Sequence, residues 1–169
     1  SHGLFSKSFQ KHPYGRPVIG YRKIVAGASR DKIFDFYRRW YVPSNMVFVA
    51  VGDFDWKEAA SKIRGQFGKW KAHKAPVRRR PKEPTQDKIR GFGLKDDTQE
   101  FFFDFAFHIP GMGHADVAAL DLLSVVVGQG EQSRLVWKLH HTDRVVTGLQ
   151  AYAYTPRDPG LMLVSGTAS

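Results

Sequence analysis

Between Lys69 and Pro84 the chain reads KWKAHKAPVRRRPKEP, and this stretch limits the fold more than any other. Pro76, Pro81 and Pro84 stand among seven cations: Lys69, Lys71, Lys74, Arg78, Arg79, Arg80 and Lys82. Proline fixes φ and lacks an amide donor, so neither a helix nor a central strand can run through prolines at this density. An extended, solvated tether is expected. A chain of 169 residues can fill one core or parts of two. The tether argues for parts of two: residues 1–70, a basic proline-rich linker over 71–86, and residues 87–169.

The formal charge of +10 raises a nucleic-acid reading. Much of that charge sits on the tether, however, and no RNP-like, helix-turn-helix or zinc-finger pattern accompanies it. An acidic partner remains compatible with the run, and no nucleic-acid partner is expected. A hydrophobic share of 42%, with thirteen Phe and four Trp, describes a globular chain with a core to bury. No apolar run is long enough to cross a bilayer and no secretory signal pattern opens the chain, so a soluble chain without a membrane span is expected. With no cysteine, any metal would need His, Asp or Glu.

Before the tether, Ser29 can cap a helix whose Ile33, Phe36, Tyr37, Trp40 and Tyr41 share one face, and Pro43 ends it. The run NMVFVAV over 45–51 predicts a strand buried on both faces. Asp55 with Glu58 forms a capping box opening a helix that carries Ala59, Ala60, Ile63 and Phe67 and stops at Gly68. Beyond the tether, residues 88–94 predict a short strand. Residues 100–109 (EFFFDFAFHI) predict a longer one whose Phe101, Phe103, Phe105 and Phe107 share a face, expected to be core. Val117, Leu120, Leu123 and Val127 repeat at helical spacing as far as Gly128, and a short helix follows from Ser133 with Leu135, Val136 and Leu139 inward. Residues 145–154 and 161–167 read as paired strands joined through TPRDPG. The chain begins at a loop and stops at a strand, so both ends read as cut.

Three constellations invite chemistry. GQGEQS ahead of a helix lacks the Lys and spacing of a phosphate loop and reads as a turn. Asp53 and Asp55 read as a turn former and a cap, not as an acid-base pair. His2, His12, His73, His108, His114, His140 and His141 include no i, i+4 pair. Adjacent His140 and His141 are expected to diverge on a helix, which leaves only His108 and His114 across a turn as a metal pair. Surface or hydrogen-bonded histidines are the simpler expectation.

HPYGRPVIG over 12–20, a helix ending WYVPSNM, VAVGDFD, a strand ending IPG, the helix ADVAALDLLSVVVG, GQGEQSRLVWKL and DPGLMLVSG resemble, in this order, the pitrilysin and insulinase-type zinc metalloproteases. The resemblance implies an α+β fold of antiparallel sheets with helices packed over them, the chain holding portions of two related domains of a clam-like enzyme. Residues 1–70 would be the C-terminal part of a metalloprotease-like domain whose metal-binding part is absent. Residues 87–169 would be the truncated N-terminal part of the non-metal, inactive domain. HPYG would be an internal connector.

Family members hold zinc through an H-x-x-E-H word, with Glu as general base, and a further Glu. The word does not occur here, so neither a catalytic residue nor a metal ligand is assigned, and no cofactor is expected in this chain; zinc would belong to the parent enzyme. The fragment alone is expected to be inactive. In many relatives an Arg and, seven residues later, a Tyr bind substrate or the developing oxyanion. Those positions are His140 and Thr147 here. The resemblance therefore implies a non-catalytic portion of a zinc endopeptidase enclosing peptides or unfolded polypeptide. A related partner subunit would supply Arg and Tyr as a heterodimer, or two copies would pair as a homodimer. The alternative is a scaffold or polypeptide-binding subunit that never cuts. The compartment stays open, with the periplasm favoured over the cytoplasm; peptide specificity and oligomeric state stay open too.

Overall fold

The computed structural model describes residues 2–169, leaving aside the side chain of His2. The chain divides into two compact units, Ser1–Arg16 with Lys82–Ser169, and Pro17–Pro81.

In the first unit, alternating and apolar runs become a three-stranded antiparallel sheet. β1 (Phe101–Ile109), β2 (Gly148–Tyr154) and β3 (Gly160–Ala168) lie in the order β1-β3-β2. Tyr154 pairs with Leu161 across the proline-containing turn, and Ile109 pairs with Gly160 on the other side. As the central strand, β3 is covered on both faces, which explains why consecutive Leu161, Met162 and Leu163 are all buried. Leu161 and Leu163 face Phe9, with Leu4, Phe5 and Tyr14 packed around them; Met162 faces the other way, onto Ile109 and Ala151.

Each face has its own cover. The helix α1 (His2–Ser8) and the turn after it cover one. A second helix, here α5 (Val117–Gly128) in chain order, covers the other through Leu120 and Val127. Its end approaches β2 closely: a Cβ on Gly128 would lie 2.6 Å from the Ala151 Cβ. A side chain there would force helix and strand apart.

The aromatic face of β1 departs from expectation. Phe101, Phe105 and Phe107 are exposed. The reason is where α5 sits: it packs mainly on β2, and of β1 only Ile109 joins its apolar cluster. Residues 2–16, which the sequence alone groups with the segment up to residue 70, pack on this sheet, because Phe9 with Leu4, Phe5 and Tyr14 supplies the apolar cover for Leu161 and Leu163. Residues 88–94 form no strand.

The second unit is helical. α2 (Arg22–Ala26), α3 (Arg30–Trp40) and α4 (Trp56–Phe67) follow one another. The caps are those the sequence specifies: Ser29 Oγ accepts from the Lys32 amide at 3.3 Å, and Asp55 Oδ1 from the Glu58 amide at 2.9 Å. Residues 45–51, expected as a buried strand, form none: Asn45 ends the 3-10 turn Pro43–Asn45, and 46–51 are neither paired nor buried, with Val47, Phe48, Val49 and Val51 exposed. A strand needs a neighbour for its amides and carbonyls, and the described residues of this unit contain no other. The tether is extended but held. Ser44 Oγ donates to the His73 carbonyl, and the Arg78 guanidinium lies 4.5 Å above the Trp40 ring.

Candidate functional site

The chain from Gly130 to Thr147 builds a hollow. Gly130, at φ 83°, turns the backbone out of α5, and the Ser133 amide closes the turn on the Gly130 carbonyl at 3.1 Å. The next helix then widens. Val136–Thr142 is π-helical, ending with the Asp143 amide donating to the Lys138 carbonyl at 2.8 Å. Short π segments recur at functional sites. This one changes the expected geometry of the histidine pair: a π-helix rotates less per residue than an α-helix, and the rings of His140 and His141 lie 4.8 Å apart, edge to face. Both line the same hollow, so the expectation that they diverge is corrected.

Past this helix Arg144 adopts φ 56°, among the described residues the single non-glycine in the left-handed region. A residue with a Cβ costs about 1–2 kcal/mol in that conformation. The turn it makes brings Val146 and Thr147 back against the histidines. His140, His141, Arg144, Val146 and Thr147 together line a shallow hollow that is widely open to the surface.

Hydrogen bonds set the chemistry of its wall. Val146 offers a carbonyl to His140 Nδ1 at 3.0 Å, so Nδ1 carries the proton and the Nε2 of neutral His140 is an acceptor. His141 Nε2 donates to Glu131 Oε2 at 2.8 Å. Thr147 shares its hydroxyl with that of Thr167 at 2.8 Å, and its amide donates to the Thr167 carbonyl at 2.8 Å. A fixed acceptor, a hydroxyl and a guanidinium around one concavity suit the groups of a peptide backbone or a carboxylate. Sequence reasoning reaches His140 and Thr147 but not Arg144; no residue-type signal marks a non-glycine for the left-handed region.

His12, His108 and His114 lie elsewhere, and the side chain of His2 is outside the described residues. His12 is buried: its Nδ1 accepts from the Tyr14 amide at 3.3 Å, and its Nε2 lies 3.4 Å from Asp158 Oδ2. Tyr14 reaches the same turn, its hydroxyl accepting from the Asp158 amide at 3.3 Å. HPYG therefore grips the DPG turn between β2 and β3. His108 Nε2 bonds the Ser8 carbonyl at 3.0 Å, and His114 Nδ1 accepts from the Asp116 amide at 3.2 Å, so each has a local partner. Among the described residues no three His, Cys, Asp or Glu converge as a metal ligand set. These residues do not fit a zinc centre.

One carboxylate is held with unusual firmness. Glu83 accepts the backbone amides of Gln10, Lys11 and His12, each at 2.8 Å. Burial by itself raises its pKa, but the bonds from His12, Gln10 and Lys11, together with the charge of Arg90, outweigh this and hold the carboxyl below its ordinary value.

Residues 27–169 match the family described as the peptidase M16 inactive domain. An uncharacterized zinc protease of Mycobacterium tuberculosis is 30% identical over 140 residues, which cover 79% of this chain and 31% of the relative. Among solved structures, a protease from Helicobacter pylori superposes with a TM-score of 0.86 at 24% identity, covering 99% of this chain and 41% of that one. The periplasmic protease PqqL from Escherichia coli gives a TM-score of 0.71 at 24% identity, covering 92% of this chain and 18% of that one. The chain thus spans about a third of the length of the curated relative above. It belongs to the pitrilysin and insulinase-type, or M16, family of zinc metalloproteases, within the part described as the inactive domain.

Proposed function

We propose that this chain is a non-catalytic portion of a zinc-dependent metalloendopeptidase and that it helps to enclose polypeptide substrates. One observation carries the reading: the hollow beside the π-helix is lined by His140 and Thr147, the two positions where the family resemblance places substrate-contacting side chains, with Arg144 beside them. His140 Nε2 accepts a peptide N–H there, and Thr147 and Arg144 donate to a peptide carbonyl. Neither His140 nor Thr147 can act as the bidentate guanidinium or the phenol of those relatives, so groups stabilising a transition state come from a related partner subunit that carries them; a second copy of this chain would not supply them. Zinc belongs to the parent protein, outside this chain. A periplasmic location is supported by PqqL, itself named as a periplasmic protease.

The test is binding of a labelled, unfolded, uncharged polypeptide to the 169-residue chain. His140→Ala combined with Arg144→Gly is expected to weaken it roughly tenfold, the loss of one or two hydrogen bonds. Unchanged affinity would remove the hollow from substrate contact and leave a scaffold role.

A further inference from the structure

The charge of this chain is segregated. Pro17–Pro81 holds fifteen Lys and Arg against five Asp and Glu, a net +10, which leaves eleven of each sign from the chain's 26 and 16 on the other unit, a net of zero. All of the formal excess therefore lies on the helical unit.

Part of this excess is organised. The Arg38 guanidinium lies 4.3 Å from the centre of the Phe34 ring and that of Arg30 5.4 Å from it, while Arg78 of the tether lies 4.5 Å from the Trp40 ring. The Phe36 and Trp40 rings are neighbours at 6.0 Å. Three of the unit's five carboxylates are engaged elsewhere: Asp31 meets Arg30 at 3.8 Å, Glu58 meets Lys62 at 2.7 Å, and Asp55 caps α4. Among the described residues no carboxylate pairs with Arg38, Arg78 or Arg79, and all three are exposed.

A guanidinium laid on an aromatic ring keeps its donor fork free at the edge, and it has already lost much of its rotamer freedom. Such a fork accepts a carboxylate in bidentate fashion. The guanidinium groups of Arg38 and Arg78 cover faces of Phe34 and Trp40 on which a base of single-stranded nucleic acid would otherwise stack. Exposed Phe36 and Tyr37, on the same helix as Arg38, offer apolar contact which a polypeptide can use and an inorganic anion cannot.

We propose that residues 17–81 form a docking surface for acidic polypeptide segments, with Arg38 on Phe34 and Arg78 on Trp40 as its carboxylate-gripping forks. The choice of a polypeptide over other polyanions rests on the peptide-enclosing reading; the surface itself is independent of the hollow.

The experiment measures fluorescence anisotropy of a labelled oligoglutamate peptide, a Gly-Ser peptide and an oligothymidine of equal length, each with the full chain. Oligoglutamate is expected to bind roughly tenfold more tightly than the neutral peptide, and this advantage is expected to shrink with added salt. Arg38→Ala combined with Arg78→Ala should remove most of it, whereas Lys88→Ala combined with Lys95→Ala, the same loss of charge on the other unit, should not. Arg79→Glu, at a side chain with neither stack nor hydrogen bond, gives the same reading should the double variant not fold. Equal binding of acidic and neutral peptides would overturn the proposal, as would equal loss in the lysine control. Tighter binding of oligothymidine than of oligoglutamate would also overturn it and assign the surface to nucleic acid. The combination of His140→Ala and Arg144→Gly should leave the ratio of oligoglutamate to neutral peptide unchanged, which separates failure of this surface from failure of the hollow.

Discussion

The two units of this chain solve different problems with similar material. The sheet unit is electrically neutral and buries Leu161, Leu163 and Ala151 to within 1% of full burial. The helical unit carries the whole formal charge, and the apolar faces of its helices stay open, with Ile33 59% and Phe36 50% exposed. Self-repulsion among like charges works against compactness, and an uncovered apolar face contributes little burial. Cohesion should therefore reside in the sheet unit, which also holds the hollow, and the gripping of acidic segments in the helical one.

The sharpest way to break this contrast is to remove equal apolar volume from each unit. Leu161→Ala is expected to cost about 2–5 kcal/mol in urea denaturation, transfer and cavity terms together. Ile33→Ala should cost less than about 0.5 kcal/mol. Comparable losses would mean that the helical unit has a core of its own.

Stability of the sheet unit should also depend on pH. The carboxyl of Glu83 titrates below its ordinary value because three backbone amides and Arg90 favour its charge. The sign follows directly: the stabilisation is fully present above the ordinary glutamate pKa and is lost as pH falls through the lower folded value. Glu83→Gln should flatten that acid limb of the unfolding midpoint against pH. An identical limb in the variant would place the pH dependence elsewhere.

A smaller effect has the opposite sign. Arg144→Gly relieves the left-handed backbone and should stabilise the chain by about 1 kcal/mol, seen as a raised Tm, even as it removes a wall of the hollow. A gain in stability with a loss of peptide binding would mark Arg144 as a residue kept for contact. A loss in both would make it a structural one.

Elements with local signals are legible in the amino-acid sequence. Ser29 and Asp55 announce their helices, Gly128 ends another, and TPRDPG joins β2 to β3, because caps and turns are chosen by neighbours in sequence. Residues 45–51 and 88–94 have strand composition but no ladder partner, and pairing is a property of distant chain that propensity does not encode. The alternation of β1 suggests an aromatic core face, yet the cover of that face depends on where α5 lands. At the hollow, His140 and Thr147 follow from family resemblance; their convergence with His141 and Arg144 comes from a π-helix and a strained turn, neither of which has a residue code.

The most direct single measurement is mass spectrometry of an unfolded, acidic polypeptide incubated with the purified chain and zinc, alongside its binding isotherm. The account predicts saturable binding and an intact polypeptide at every time point. New fragments that a chelator abolishes, or no binding at all, would contradict it.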